Sequence, residues 1–121
     1  MSLLAGRQFQ VWEYRVGQAS LLIRSPNNAG FKTCVDIIFK GVEYMSLPNS
    51  FQSLDIRELS PDEAEQATGL AATPGAPWKV WQLEDGDNAD WVIAGTMTIT
   101  EHEGDMFDSP FGPLKSAVGA G

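Results

Sequence analysis

A chain of 121 residues is long enough for one hydrophobic core and too short for two ordinary domains. Its composition, 43% hydrophobic, 10% aromatic and 20% charged, is that of a globular sequence and excludes wholesale disorder. The single cysteine excludes an internal disulfide framework, and a net charge of −8 excludes phosphate backbones and anionic membranes as natural partners.

The N-terminus shows no basic segment followed by a long apolar run, so a soluble, cytoplasmic protein is the expectation. The acidity is uneven. Residues 1–79 hold eight acids against seven bases, whereas residues 80–121 hold eight acids against Lys115 alone.

Short apolar or alternating runs between turn residues carry a strand signal along most of the chain. FQVWEYRV (9–16) and ASLLIRS (19–25) read as strands joined by a two-residue turn at Gly17-Gln18. After the turn cluster SPNNAG, the run TCVDIIF (33–39) places Val35, Ile37 and Phe39 on one face and Cys34, Asp36 and Ile38 on the other. VEYMSL (42–47) and LDIREL (54–59) follow as a fourth and a fifth strand.

The period then changes. In SPDEAEQATG, Ser60 is placed as a helix N-cap, Pro61 at the first helical position, Glu63 as the partner in a capping box and Gly69 as the stop. A helix over about 61–68 with only a weak alanine stripe has to lie on the sheet. Beyond the rigid turn TPGAP, WKVWQLE (78–84) puts Trp78 and Val80 on one face and Trp81 and Leu83 on the other. Such a strand is covered on both sides, within a barrel or sandwich or against a partner or second copy, so a homo-oligomer is compatible with it.

DWVIAGTMTIT (90–100) reads as one continuous strand with Gly95 as a bulge or point of close packing; a hairpin turn at Gly95 is the alternative. The fold expected is mainly β, a small antiparallel barrel or sandwich of about seven short strands with one short helix. It forms a single domain, 1–121, in which residues 104–121 are too rich in Gly and Pro for regular structure.

Chemistry-bearing residues are few. His102 stands between Glu101 and Glu103, but along a strand the glutamates point one way and the histidine the other, so the three cannot ligate one ion. Asp105 and Asp108 beyond Gly104 would add only oxygen ligands. DGDNAD (85–90) departs from a calcium loop at Ala89, at Asp90 and at Thr96 in the closing position, and reads as a polar hairpin tip. On a continuous strand these two acidic clusters lie roughly 30 Å apart, at about 3.3 Å per residue, and do not cooperate. A turn at Gly95 would instead make one acidic end.

Cys34 sits in an apolar strand without local basic activation and reads as a small core residue. No nucleophile elbow, phosphate loop or dinucleotide fingerprint occurs, and no pattern calls for a metal or another cofactor. Catalysis would require His102 beside a carboxylate in a pocket. Trp12, Trp78, Trp81 and Trp91 all fall in strands among Val, Ile or Leu, and of the oppositely directed Trp78 and Trp81 one is expected at a surface.

From Val80 to Leu114 runs a 35-residue stretch without Lys or Arg. The leading expectation is therefore a non-catalytic binding protein that engages a basic protein partner through its C-terminal third, with Glu101, Glu103, Asp105, Asp108, Trp78 and Trp81 as contact residues. The alternative is a ligand- or carbohydrate-binding β domain using exposed tryptophan.

Overall fold

The computed structural model describes residues 4–27, 30–69, 78–104 and 109–111. In chain order they form β1 (Phe9–Arg15), β2 (Ser20–Ser25), β3 (Cys34–Lys40), β4 (Tyr44–Ser46), β5 (Ser50–Phe51), β6 (Leu54–Glu58), α1 (Pro61–Thr68), β7 (Lys79–Asp85), β8 (Asn88–Ala94) and β9 (Thr96–His102). Two antiparallel sheets, ordered β5-β1-β2-β3-β9 and β4-β8-β7-β6, make a sandwich-like fold rather than a closed barrel. The mainly β expectation holds. The strand count rises from about seven to nine because 90–100 is divided and Ser50–Phe51 forms a two-residue strand of its own.

The inward faces follow the alternation read from the sequence. Leu21, Ile23, Val35, Ile37 and Phe39 of the first sheet meet Leu54, Trp81, Leu83, Val92 and Ala94 of the second in one core, which Phe9, Phe51 and Leu4 complete. The outer face of β7 is covered too, by the chain's own helix. Ala64 of α1 packs with Leu59, Val80 and Ile93, and Trp78 and Trp91 lie partly buried at the rim of this second cluster. The cover that the sequence left open to a partner or second copy is α1.

Helix α1 starts as its sequence dictates. The Glu63 N–H donates to Ser60 Oγ (3.2 Å), the Ser60 N–H donates to Glu63 Oε1 (3.0 Å), and Gly69 stops the helix in the left-handed region at φ 72°. The β1–β2 turn differs from expectation. Val16–Gln18 forms a short 3₁₀ turn closed by the Ala19 N–H on the Val16 carbonyl, and Ala19, not Gly17, takes the positive φ, 47°. Four residues therefore link Arg15 to its partner Ser20. By contrast, the β7–β8 hairpin is a true two-residue turn, with Gly86 at φ 62° in the first central position.

At Gly95 the chain neither runs on in one sheet nor folds back as a hairpin. β8 pairs with β4 and β7 in the second sheet, while β9 pairs with β3 in the first, so β3–β4 and β8–β9 form one ribbon bent across both sheets. Between Lys40↔Thr96 and Tyr44↔Ile93 one chain advances four residues and the other three, which is a bulge at the bend. The Gly95 N–H reaches the carbonyls of Lys40 (2.9 Å) and Gly41 (3.2 Å), and Gly41 sits at φ 68° with its Cβ position 3.5 Å from the Gly95 nitrogen. Two glycines back to back form the corner.

Candidate functional site

The bend has a consequence for charge. Because the two halves of the ribbon face each other across the core, the start of β8 and the end of β9 return to the same end of the sandwich. A row of contacts joins them. Arg7 Nη2 lies 3.7 Å from Glu101, Gln8 Nε2 donates to Gln52 Oε1 (2.9 Å), and Asp85 accepts the backbone N–H groups of Gln52 (2.9 Å) and Ser53 (3.0 Å). The separation expected from a continuous strand is thus corrected. Distance along a strand does not carry through a corner that moves the chain into the facing sheet.

Arg7 organises this end from beneath. It is buried, its guanidinium stacks 4.1 Å from the Phe31 ring centroid, and it donates to the Thr33 carbonyl (2.9 Å), Thr33 Oγ1 (2.9 Å) and Ser25 Oγ (3.4 Å). Strand ends of β2, β3 and β9 are tied by one side chain. Its charge is spent inward, which leaves Lys32 as the exposed basic residue at this end among the described residues.

Around it the acids gather. Glu101 is exposed and held by the Thr33 hydroxyl (2.6 Å), and Glu103 is exposed one step beyond β9. Asp85, Asp87 and Asp90 come from the β7–β8 hairpin, and Asp55 stands directly opposite Glu84 on β6 and β7, a like-charge pair that costs stability. The side chains of Asp87, Asp90 and Glu103 make no hydrogen bond or ion pair among the described residues, so their charge is not consumed by the fold. Asp105 and Asp108 lie outside the described residues.

The tryptophans divide differently from the expected pair. Trp81 is 5% exposed, edge-on to Phe39 at 5.7 Å in the core, and takes no part in a surface; Trp78 is half-buried beside α1. Among the described residues the aromatics that do reach solvent are Tyr14, 38% exposed, and Tyr44, 52% exposed and stacked on Trp91 at 4.7 Å and 21°. The sequence signal for this stack was present but faint, since Ser46↔Trp91 pairing on the edge strand β4 is what brings the two rings together.

On the outer face of the first sheet lies a second polar cluster. Arg24 and Asp36, 1% and 2% exposed, form a two-pronged ion pair (2.6 and 2.9 Å), and His102 Nε2 sits 2.9 Å from Asp36 Oδ2. An open pocket of about 230 Å³ is lined by these three with Thr100, Ser109 and Pro110. A histidine beside a carboxylate in a pocket is the arrangement that catalysis would require, and a serine stands in the same pocket. The wiring runs otherwise. His102 Nδ1 accepts the Gly104 N–H (3.2 Å), so both ring nitrogens are engaged, and the Ser109 hydroxyl donates to Glu13 (2.7 Å), not to the imidazole. This cluster pins Gly104 and the 109–111 segment onto the sheet.

Cys34 is fully buried, its thiol 3.8 Å from the Gly104 carbonyl. Among the described residues no three His, Cys, Asp or Glu side chains gather as metal ligands, and no helix is long and apolar enough to cross a membrane. Compared with protein-family models, curated proteins and solved structures, the chain matches none.

Proposed function

We propose that the chain is a non-catalytic binding module that engages a basic protein through the acidic end of its sandwich. The reading is carried by the corner at Gly41 and Gly95, which brings the hairpin acids and the β9 acids to one end. Supporting it, among the described residues the side chains of Asp87, Asp90 and Glu103 are without partners and one exposed lysine opposes them. A concentrated field of one sign raises encounter rates with a cationic surface and selects against anionic ones.

The test is binding to a panel of basic proteins across salt concentration. At least one should bind with affinity that falls as salt rises, and Asp87→Asn, Asp90→Asn and Glu103→Gln together should weaken it by about tenfold, roughly 1.4 kcal/mol, and flatten the salt slope. Binding indifferent both to salt and to these three substitutions would sink the proposal.

A second reading rests on the Tyr44–Trp91 stack, an exposed aromatic surface of the kind that holds sugar rings or small apolar ligands. Tryptophan fluorescence titrated with a glycan panel checks it. A shift that disappears in Tyr44→Ala supports it, and no shift with any ligand counts against it.

A further inference from the structure

We infer that β9 is a pairing edge for a second copy of this chain, joined antiparallel about a two-fold axis at Ile99. Among the described residues four strands end the two sheets: β5 and β9 in the first, β4 and β6 in the second. Three of them are blunted. β5 has two residues, β4 has three, and β6 carries Asp55, Arg57 and Glu58 within its five. Short length and charged residues are the ordinary protections of a sheet edge.

β9 has neither protection over most of its length. It is seven residues long, Thr96 to Thr100 hold no charge and no proline, and its register with β3 runs unbroken through seven pairs. A strand regular on its paired side is equally regular on its outer side. Along it Thr96, Thr98 and Thr100 are exposed, while Met97 and Ile99 pack half-buried against the core and leave apolar surface at the rim.

Ile99 is the middle residue of β9, so a two-fold axis there lets all seven of its residues pair. With Ile99 opposite Ile99 of the second copy, Thr98 faces Thr100, Thr96 faces His102 and Met97 faces Glu101, so threonine pairs stabilise one face and the two Ile99 side chains meet at the centre of the other. The two Glu101 residues then stand about 13 Å apart, at about 3.3 Å per residue, beyond a screening length of about 8 Å at physiological salt. Parallel in-register pairing would set Glu101 on Glu101 in a chain already carrying a net charge of −8. Charge therefore favours the antiparallel dimer. A seven-residue edge buries well under the roughly 1,600 Å² of a standard interface, which makes the dimer weak, with a dissociation constant on the order of micromolar.

This inference does not rest on the acidic end, and its test is separate. Sedimentation equilibrium of the full chain across the micromolar range should show mass rising from one chain to two. Thr98→Lys with Thr100→Lys should hold the protein monomeric, as should Thr98→Glu with Thr100→Glu, and mixing the two variants should restore a dimer, because position 98 of one copy faces position 100 of the other. In a Cys34→Ala background, Ile99→Cys should give a disulfide-linked dimer on mild oxidation. A parent that stays monomeric at every concentration, a dimer that survives the lysine variant, or charged variants that fail to associate when mixed would each overturn it.

Discussion

Arg24 and Asp36 are directly paired across β2 and β3, and each is nearly without solvent. Two charges in such a site offset their desolvation only together, and removing one strands the other. Asp36→Ala is therefore expected to cost about 3–5 kcal/mol in urea denaturation, whereas Arg24→Met with Asp36→Leu should recover most of that loss. The alternation of TCVDIIF already placed Asp36 on the face opposite the core. What sequence could not supply was its partners. Arg24 reaches it through the register of the neighbouring strand β2, and His102 through the β3–β9 pairing, which depends on residues far along the chain.

At the scale of elements, the corner and the helix carry separate expectations. Gly41 has ordinary contact distance to Gly95, so what a side chain would meet there is its positive φ rather than a clash. Gly41→Ala should cost about 1–2 kcal/mol, and Gly41→Asn less, since asparagine tolerates the left-handed region; thermal melts of the two variants check the order. In α1, Ser60→Ala should cost about 1 kcal/mol by loss of the cap. Glu63 is held below its ordinary pKa of 4.5, chiefly by the Ser60 backbone N–H and then by Arg57. A depressed carboxylate stabilises the fold above its unfolded pKa, and that contribution is lost as pH falls through the lower folded value. Melting temperature should therefore drop more gently below about pH 4.5 in Glu63→Gln than in the parent.

The elements legible in advance were those set by neighbours in the chain. Ser60, Pro61 and Glu63 form a cap within four residues, and Trp78 to Leu83 show the two-sided burial that their alternation announced. Gly17-Gln18 misled because a glycine permits positive φ without requiring it, and Ala19 took that conformation in a longer turn.

Across the whole molecule, the two ends differ in charge balance. At the corner end Lys40 and Lys79 stand opposite Thr96 and Ala94, with Glu58 3.7 Å from Lys79 and Glu43 bonded to the Ile93 carbonyl through its N–H, while the acids of β7, β8 and β9 collect at the other. Because the side chains of Asp87, Asp90 and Glu103 make no bond among the described residues, neutralising all three, from a net charge of −8 to −5, should leave stability unchanged or raise it at low salt through relief of self-repulsion. Thermal melts at low and high salt measure this. A variant that loses binding while keeping its melting temperature places these acids in recognition rather than in the fold.

By itself the sequence determined the mainly β class, the strand faces, the capped helix and the acidity of the C-terminal third, because periodicity, capping and charge act between near neighbours. Only the tertiary structure decided what Gly95 does. Whether the chain beyond it stays beside β7 or moves to β3 depends on which sheet offers a free edge and on where Met97 and Ile99 find the core. That choice of partner, made between residues some sixty positions apart, turns two acidic clusters separated along a strand into one charged end.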